Sequence, residues 1–195
     1  MAARTTRWIT VAVLGALVVS GCTGSKPSDE APPTAPTTAP TTLDDGTTAP
    51  GTKLKIGDAA KVRFSANAKK SSMVSLKVTS IGKGQVAALD DFNLDAKTKK
   101  SNVYYVKVSV KNIGDGDLSG LPVLLYGKVS DDLVVPPVEF GSTFKPCDYQ
   151  PLPKGFKKSK RAIVCIVMFA PKKGNIKAVQ FRAADNAEPI SWRRR

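Results

Sequence analysis

The stretch Val103-Tyr-Tyr-Val-Lys-Val-Ser-Val-Lys111 decides the fold of this chain. Its even positions from 104 to 110 hold Tyr or Val, and its odd positions from 107 to 111 hold Lys or Ser. Successive side chains of a β-strand point to opposite faces, so this alternation predicts a strand with one buried and one polar face. The polar run from Asn112 to Asp117 predicts the turn that ends it.

Similar short patterns recur along the chain after residue 53, separated by turn residues. The further strands that they predict cover residues 61–64, 74–79, 121–126, 133–135, 161–169, 176–181 and 190–192. No window has helical periodicity, and residues 82–100 have room for one short helical turn. This pattern is typical of an all-β sandwich or barrel.

The segment Arg161–Phe169 is apolar on both faces, which predicts a strand in the centre of a sheet with Cys165 at its middle. Cys147 precedes it in a polar loop, and in an exported protein the two cysteines are expected to form a disulfide. The bridge would close a loop of about 18 residues and stabilise the fold by about 3 kcal/mol. A catalytic thiolate or a metal pair is the alternative, but the sequence offers neither a histidine base nor further cysteine ligands.

The first residues have the pattern of an export signal. Arg4 and Arg7 precede the apolar run Trp8–Val19, which is too short to span a bilayer comfortably as a helix. The following Val-Ser-Gly-Cys, residues 19–22, resembles the bacterial lipobox. The resemblance implies that residues 1–21 form a signal peptide and that Cys22 becomes a lipidated N-terminus anchored in a membrane. Ordinary secretion, with cleavage at Gly21 or Ser25, is the alternative.

Residues 22–52 form the expected tether between lipid and domain. From residue 23 they are almost wholly Thr, Pro, Ala, Ser, Asp and Gly, which is too little apolar surface to offset the entropy of ordering. We therefore predict a disordered linker with polyproline II character and a reach of up to about 90 Å. Its threonines are candidates for O-glycosylation, and an unglycosylated spacer is the alternative.

The chain has 30 Lys and Arg against 16 Asp and Glu, a net charge of +14, and no histidine. The excess belongs to residues 53–195, which hold 27 basic and 12 acidic residues. Such a charge attracts polyanions, although lysines also serve simply as solvated surface residues. The candidate anion-contact residues are the densest basic run and one upstream lysine: Lys145, Lys154, Lys157, Lys158, Lys160 and Arg161. With Lys172 and Lys173 they are hypothesised to line one end of the domain.

Five motifs in order resemble one family: Lys55–Asp58, Tyr104–Gly114, Leu152–Gly155, Phe169–Pro171 and Ile190–Trp192. They are similar to the immunoglobulin-like extracellular domain of many Gram-positive lipoproteins, a fold class that includes a small secreted immunogenic antigen of mycobacteria. The resemblance spans about residues 53–192. It implies an immunoglobulin-like antiparallel β-sandwich of seven to nine strands, with no established enzymatic activity and no catalytic residues to transfer.

The sequence therefore predicts a non-enzymatic lipoprotein on the extracytoplasmic face of a cell membrane, with residues 53–195 as its domain. We expect no cofactor, no metal and no specific nucleic-acid partner. The expected partner, besides the lipid anchor, is an envelope component, either an anionic wall polymer or another protein. The alternatives are a structural or antigenic surface module that supports a membrane partner, and a secreted inhibitor-like domain.

Overall fold

The fold is known from a computed structural model, which describes residues 40–183 and 187–194. The predicted signal peptide, the lipidation site Cys22 and the tether as far as residue 39 lie outside the described residues.

Nine β-strands occur within the described ranges: β1 Lys53–Lys55, β2 Ala59–Asn67, β3 Lys70–Lys83, β4 Asn102–Asn112, β5 Tyr126–Lys128, β6 Val134–Val135, β7 Arg161–Ala170, β8 Ala178–Phe181 and β9 Ile190–Arg193. The helical elements are short. One α-helical turn, α1, spans Ala96–Lys99, and 3₁₀ turns span Val86–Leu89, Lys145–Cys147 and Pro171–Lys173.

The strands form two sheets around one core. One sheet has the order β2-β3-β4-β7, and the other has the order β1-β9-β8-β5-β6. Val108 of the first sheet and Val179 and Trp192 of the second are fully buried in the same apolar cluster. The structure thus confirms the predicted all-β sandwich of immunoglobulin-like, two-sheet architecture. One pair departs from the antiparallel prediction, because β1 and β9 are parallel.

Strand β4 behaves as its sequence predicts. Val106, Val108 and Val110 are fully buried, whereas Lys107 is exposed and Ser109 is half-buried. Because β4 pairs with β3 on one side and β7 on the other, it is an interior strand of its sheet. Its apolar positions therefore supply much of the four-stranded sheet's share of the core.

The prediction that residues 161–169 run through the centre of a sheet is wrong. Strand β7 is the last strand of the four-stranded sheet and has β4 as its one ladder partner. Its two apolar faces have another cause. Val164, Ile166 and Met168 face the main core, while Val167, Cys165 and Phe169 pack on the outer side in a second apolar cluster.

The predicted strand at residues 121–126 is also wrong, apart from Tyr126. Leu121, Val123 and Leu125 are buried at every second position, but five residues before β5 have no strand ladder. The Val123 amide donates instead to the Tyr149 hydroxyl at 3.1 Å. Burial alternates here because the chain is extended and lies against the core without pairing. The same sequence pattern is expected for a paired strand, so the sequence alone does not distinguish the two.

The boundary between tether and domain lies earlier than the predicted residue 52. Thr42 and Thr48 form an antiparallel bridge, and the Thr48 amide donates to the Lys61 carbonyl at 2.8 Å. The Thr48 hydroxyl accepts from the Lys61 amide at 2.9 Å. Because these bonds pair the backbone N–H and carbonyl of Lys61 at the edge of β2, the segment from about residue 41 belongs to the folded unit despite its polar composition.

Candidate anion-binding surface

The basic loop, residues 154–160, has exposed lysines and lies where β7 begins. Two of these lysines are near carboxylates. Lys158 forms an ion pair with Asp115 at 2.8 Å, and Lys157 contributes to the lowered pKa of Asp117, after hydrogen bonds from Ser119. The loop's charge is therefore partly offset by its neighbours.

Asn112 holds this loop in place from within the fold. Its side chain is fully buried and accepts from the Ser72 hydroxyl at 2.8 Å. It donates to the carbonyls of Gly116 at 2.8 Å and Phe156 at 2.9 Å. The backbone N–H of Asn112 donates to the Lys160 carbonyl at 2.9 Å, and its backbone carbonyl accepts from the Ser159 N–H at 2.8 Å. One buried side chain thus fixes both the 113–117 turn and the basic loop to strand β3.

The sequence-based hypothesis was that the candidate residues, with Lys172 and Lys173, all line one end of the domain. The structure does not place them all at one end. Arg161 begins β7 and Lys172 follows its last residue, so a strand of about 30 Å separates them. Lys145 belongs to neither end, because it is two residues from Cys147, which is bonded to mid-strand Cys165. The length of β7 therefore keeps the basic loop with Arg161, Lys145, and the pair Lys172 and Lys173 apart.

The predicted disulfide between Cys147 and Cys165 is confirmed, with its Cα atoms 5.2 Å apart. It ties an aromatic cap, defined as Phe92, Phe140, Phe144 and Tyr105, onto the outer side of the four-stranded sheet. Ring centroids in the cap are 4.6 to 5.7 Å apart. The cap covers the half of the outer side at which β4 begins and β7 ends.

The uncapped half of the same outer side is strongly basic. We call it the cationic face and define it by the five basic side chains that strand alternation places there: Lys61, Lys77, Lys107, Lys111 and Arg161. Four of them are exposed and Lys111 is half-buried. They come from all four strands of the sheet.

The register of the sheet sets the spacing of these charges. Lys61 lies opposite Ser75, Ser75 opposite Lys111, and Lys111 opposite Arg161 in one row across the four strands. In the next row Lys77 lies opposite Ser109. Since neighbouring strands are about 4.8 Å apart, Lys111 and Arg161 are adjacent cations and the serines are short hydroxyl spacers.

Acidic residues are absent from all four strands of this sheet, which together contain eight Lys and Arg residues. Within the described ranges the ion pairs are Lys128–Asp131 and Lys158–Asp115, and neither involves the cationic face. Arg63 lies on the same strand as Lys61 and contributes to the lowered pKa of Asp45, after hydrogen bonds from Thr47. We therefore leave Arg63 out of the face.

One apolar side chain stands among these charges. Ile163 is 75% exposed, and it lies directly opposite Ser109. Its diagonal neighbours on β4 are Lys107 and Lys111. Single exposed aliphatic residues are common on protein surfaces, so Ile163 does not by itself mark a site.

Of the predicted anion-contact residues, Arg161 alone lies on the cationic face. The sequence contained the signal for the others, because Lys107 and Lys111 share one face of a strand pattern. It did not show which strands are neighbours, and the register that aligns Lys61 with Lys111 comes from pairings over some 50 residues of chain.

No protein-family model, curated protein or solved structure matches this chain. Among the described residues, no three His, Cys, Asp or Glu side chains are grouped closely enough to hold a metal ion. In the same part of the chain, no helix has both the length and the apolar character needed to span a bilayer.

Proposed function

We propose that this chain is a lipid-anchored, non-enzymatic protein of the bacterial envelope whose sandwich binds an anionic polymer through the cationic face. The observation that carries the proposal is the row of cations in register, without an ion pair to any described residue, on a sheet whose four strands have no acidic residue. The lipobox resemblance at Cys22 and the immunoglobulin-like fold support the envelope setting.

The geometry of the face suits a chain of repeated anionic groups. A paired β-sheet holds its side chains at regular spacings, so the cations do not have to be collected from mobile loops. Lys111 and Arg161 face each other directly, and like charges in this position destabilise a sheet. A bound polyanion would relieve this repulsion and release its own counterions, which is the usual source of affinity in such complexes.

The lipid anchor and the tether would set how far from the membrane the cationic face can reach. If Cys22 is lipidated, the 17 residues between it and Pro40 span at most about 50 Å in polyproline II conformation. This is shorter than the reach of about 90 Å expected from a tether ending at residue 52. Thr48 bonds to Lys61 and Thr42 is bridged to Thr48, so the tether would join the domain near the cationic face.

The test uses the chain from residue 22 with Cys22→Ser, since the described core lies wholly after residue 40. A poly(glycerol phosphate) chain serves as the polymer, and binding is measured by titration calorimetry over a salt series. We expect log K to fall linearly with log salt. Replacing Lys77, Lys107 and Lys111 by Gln together should reduce the slope by about 2 to 3 and weaken binding at every salt concentration.

A matched variant controls for net charge. Lys154, Lys157 and Lys160 replaced by Gln removes the same three charges from the basic loop. This variant should change the slope by less than about 1. Equal losses in the two variants would show that binding depends on overall charge rather than on the cationic face. Binding to anionic vesicles in place of the polymer would assign the face to lipid instead.

A further inference from the structure

A second basic site lies on the other sheet, at the end where β5 and β9 finish and β8 begins. It is a hollow of ≈ 580 Å³. Four cationic side chains line it, Lys128, Lys177, Arg193 and Arg194, together with one carboxylate, that of Asp131. We call it the basic hollow. None of its cations belongs to the cationic face or to the candidate residues predicted from the sequence.

The backbone fixes the positions of these cations. Lys128 and Arg193 both lie opposite Ala178 in the sheet, one on each side. Ala178 is small, so a gap remains between the two long side chains at the floor of the hollow. The Lys177 amide donates to the Lys128 carbonyl at 2.8 Å, and the Arg194 amide donates to the Lys177 carbonyl at 3.0 Å. The four cationic residues therefore belong to one hydrogen-bonded frame.

Two further contacts organise the wall of the hollow. The Arg194 guanidinium lies over the Tyr104 ring, 5.4 Å from its centroid. The Tyr104 hydroxyl donates to Asn175 Oδ1 at 2.8 Å, which leaves the Asn175 amide protons without a bonding partner in the described part of the chain. Asn175 lines the hollow and can thus donate to a ligand.

The single carboxylate does not neutralise the site. Asp131 pairs with Lys128 at 2.7 Å, and its side chain is 93% exposed. The Lys128 hydrogen bond and charge lower the pKa of Asp131, with a smaller contribution from Lys177. Arg193, Arg194 and Lys177 remain without an ion pair among the described residues.

From this arrangement we infer that the basic hollow binds a phosphate group. Guanidinium groups bind phosphate oxygens through paired hydrogen bonds, and lysine adds an unoriented point charge. Two arginines, a lysine and an amide donor around one gap can together donate to the non-bridging oxygens of a phosphate monoester or diester. The group's source is a soluble phosphate compound, a phosphate of a polymer, or a lipid headgroup.

The experiment titrates the chain from residue 22, carrying Cys22→Ser, with inorganic phosphate at constant ionic strength. Backbone amide signals are followed by NMR. We expect saturable shifts at Lys177, Ala178 and Arg193, with no comparable shifts on the cationic face. Absence of saturable shifts at the hollow would overturn the inference.

The decisive variant is Lys177→Gln with Arg193→Gln, because neither side chain makes a hydrogen bond or ion pair with another described residue. We expect it to weaken phosphate binding about tenfold or more. The control, Lys154→Gln with Lys160→Gln, removes the same charge from the exposed basic loop and should change the affinity less than about twofold. Equal weakening in both variants would refute a built site.

Competition identifies the source of the phosphate group. Displacement of inorganic phosphate by poly(glycerol phosphate) assigns a polymer group, and displacement by phosphatidylglycerol vesicles assigns a lipid headgroup. If neither displaces it, the site takes a soluble phosphate compound. Polymer binding by the cationic-face variants is measured in a separate titration. A negative result for phosphate at the hollow therefore leaves the proposed function of the cationic face intact, and the reverse also holds.

Discussion

Replacing Asn112 by Ala should destabilise the sandwich strongly, because this buried side chain makes four hydrogen bonds. Two of the four, with Ser72 Oγ and the Phe156 carbonyl, are fully buried. A buried polar group left without a partner costs about 1 to 3 kcal/mol. With smaller losses at Gly114 and Gly116, we expect the free energy of unfolding to fall by about 3 to 5 kcal/mol.

The assay is urea unfolding followed by the fluorescence of Trp192, which is fully buried. Trp8, the other tryptophan of the sequence, is removed with the predicted signal peptide. Asn93→Ala is the control, since Asn93 is exposed, and it should change the free energy of unfolding by less than about 0.5 kcal/mol. A loss below about 1 kcal/mol for Asn112→Ala would refute the assigned role of the side chain.

The substitution Asn112→Asp tests the direction in which stability changes with pH. The new carboxylate keeps the acceptor for Ser72 but faces the carbonyls of Gly116 and Phe156, which need donors. Burial and these carbonyls should raise its folded-state pKa above the unfolded value of about 3.9. The folded state then binds more protons than the unfolded state, so the variant should gain stability as the pH falls from 7 toward 4. Stability that rises with pH over this range would contradict the account.

Three other perturbations have outcomes that follow from the structure. Replacing Cys147 and Cys165 together by Ser should lower the free energy of unfolding by about 3 kcal/mol, measured by urea unfolding, because their bridge closes an 18-residue separation; an unchanged midpoint would contradict this. Gly116→Ala should lower the melting temperature in calorimetry, since a Cβ there would overlap the Ser71 carbonyl oxygen; a wild-type melting temperature would show that the turn shifts freely. Cys22→Ser should abolish acyl labelling in cells and leave the precursor uncut or release the protein, and a variant still labelled would overturn the anchor proposal.

The strands with clear alternation were predictable because their burial is decided locally. In β4 every second residue is Tyr or Val, and the structure buries these positions. The disulfide was also predictable, since two cysteines remain once Cys22 is assigned to lipid and the sequence pattern predicts export. Trp192 could be expected in the core for its size, and it is fully buried with its indole donating to the Asp58 carbonyl at 2.9 Å.

What the sequence did not reveal depends on partners distant in the chain. Strand β7 looks central from its apolar faces, and only the aromatic cap packed on its outer side explains Cys165, Val167 and Phe169 at an edge. The cationic face depends on strand order and register, so the dense run at residues 154–160 was the more visible signal. The basic hollow forms because the strands that contain Lys128, Ala178 and Arg193 are neighbours in one sheet. These residues are up to 65 positions apart in the sequence, so their proximity was not visible there.

The most direct measurement of the central claim is lysine footprinting of the chain with and without poly(glycerol phosphate). Acetylation rates at each lysine are read by mass spectrometry at low salt. Binding through the cationic face predicts that Lys77, Lys107 and Lys111 are protected while Lys154 and Lys157 react at unchanged rates. Protection of the two loop lysines, with Lys77 and Lys107 still fully reactive, would contradict it.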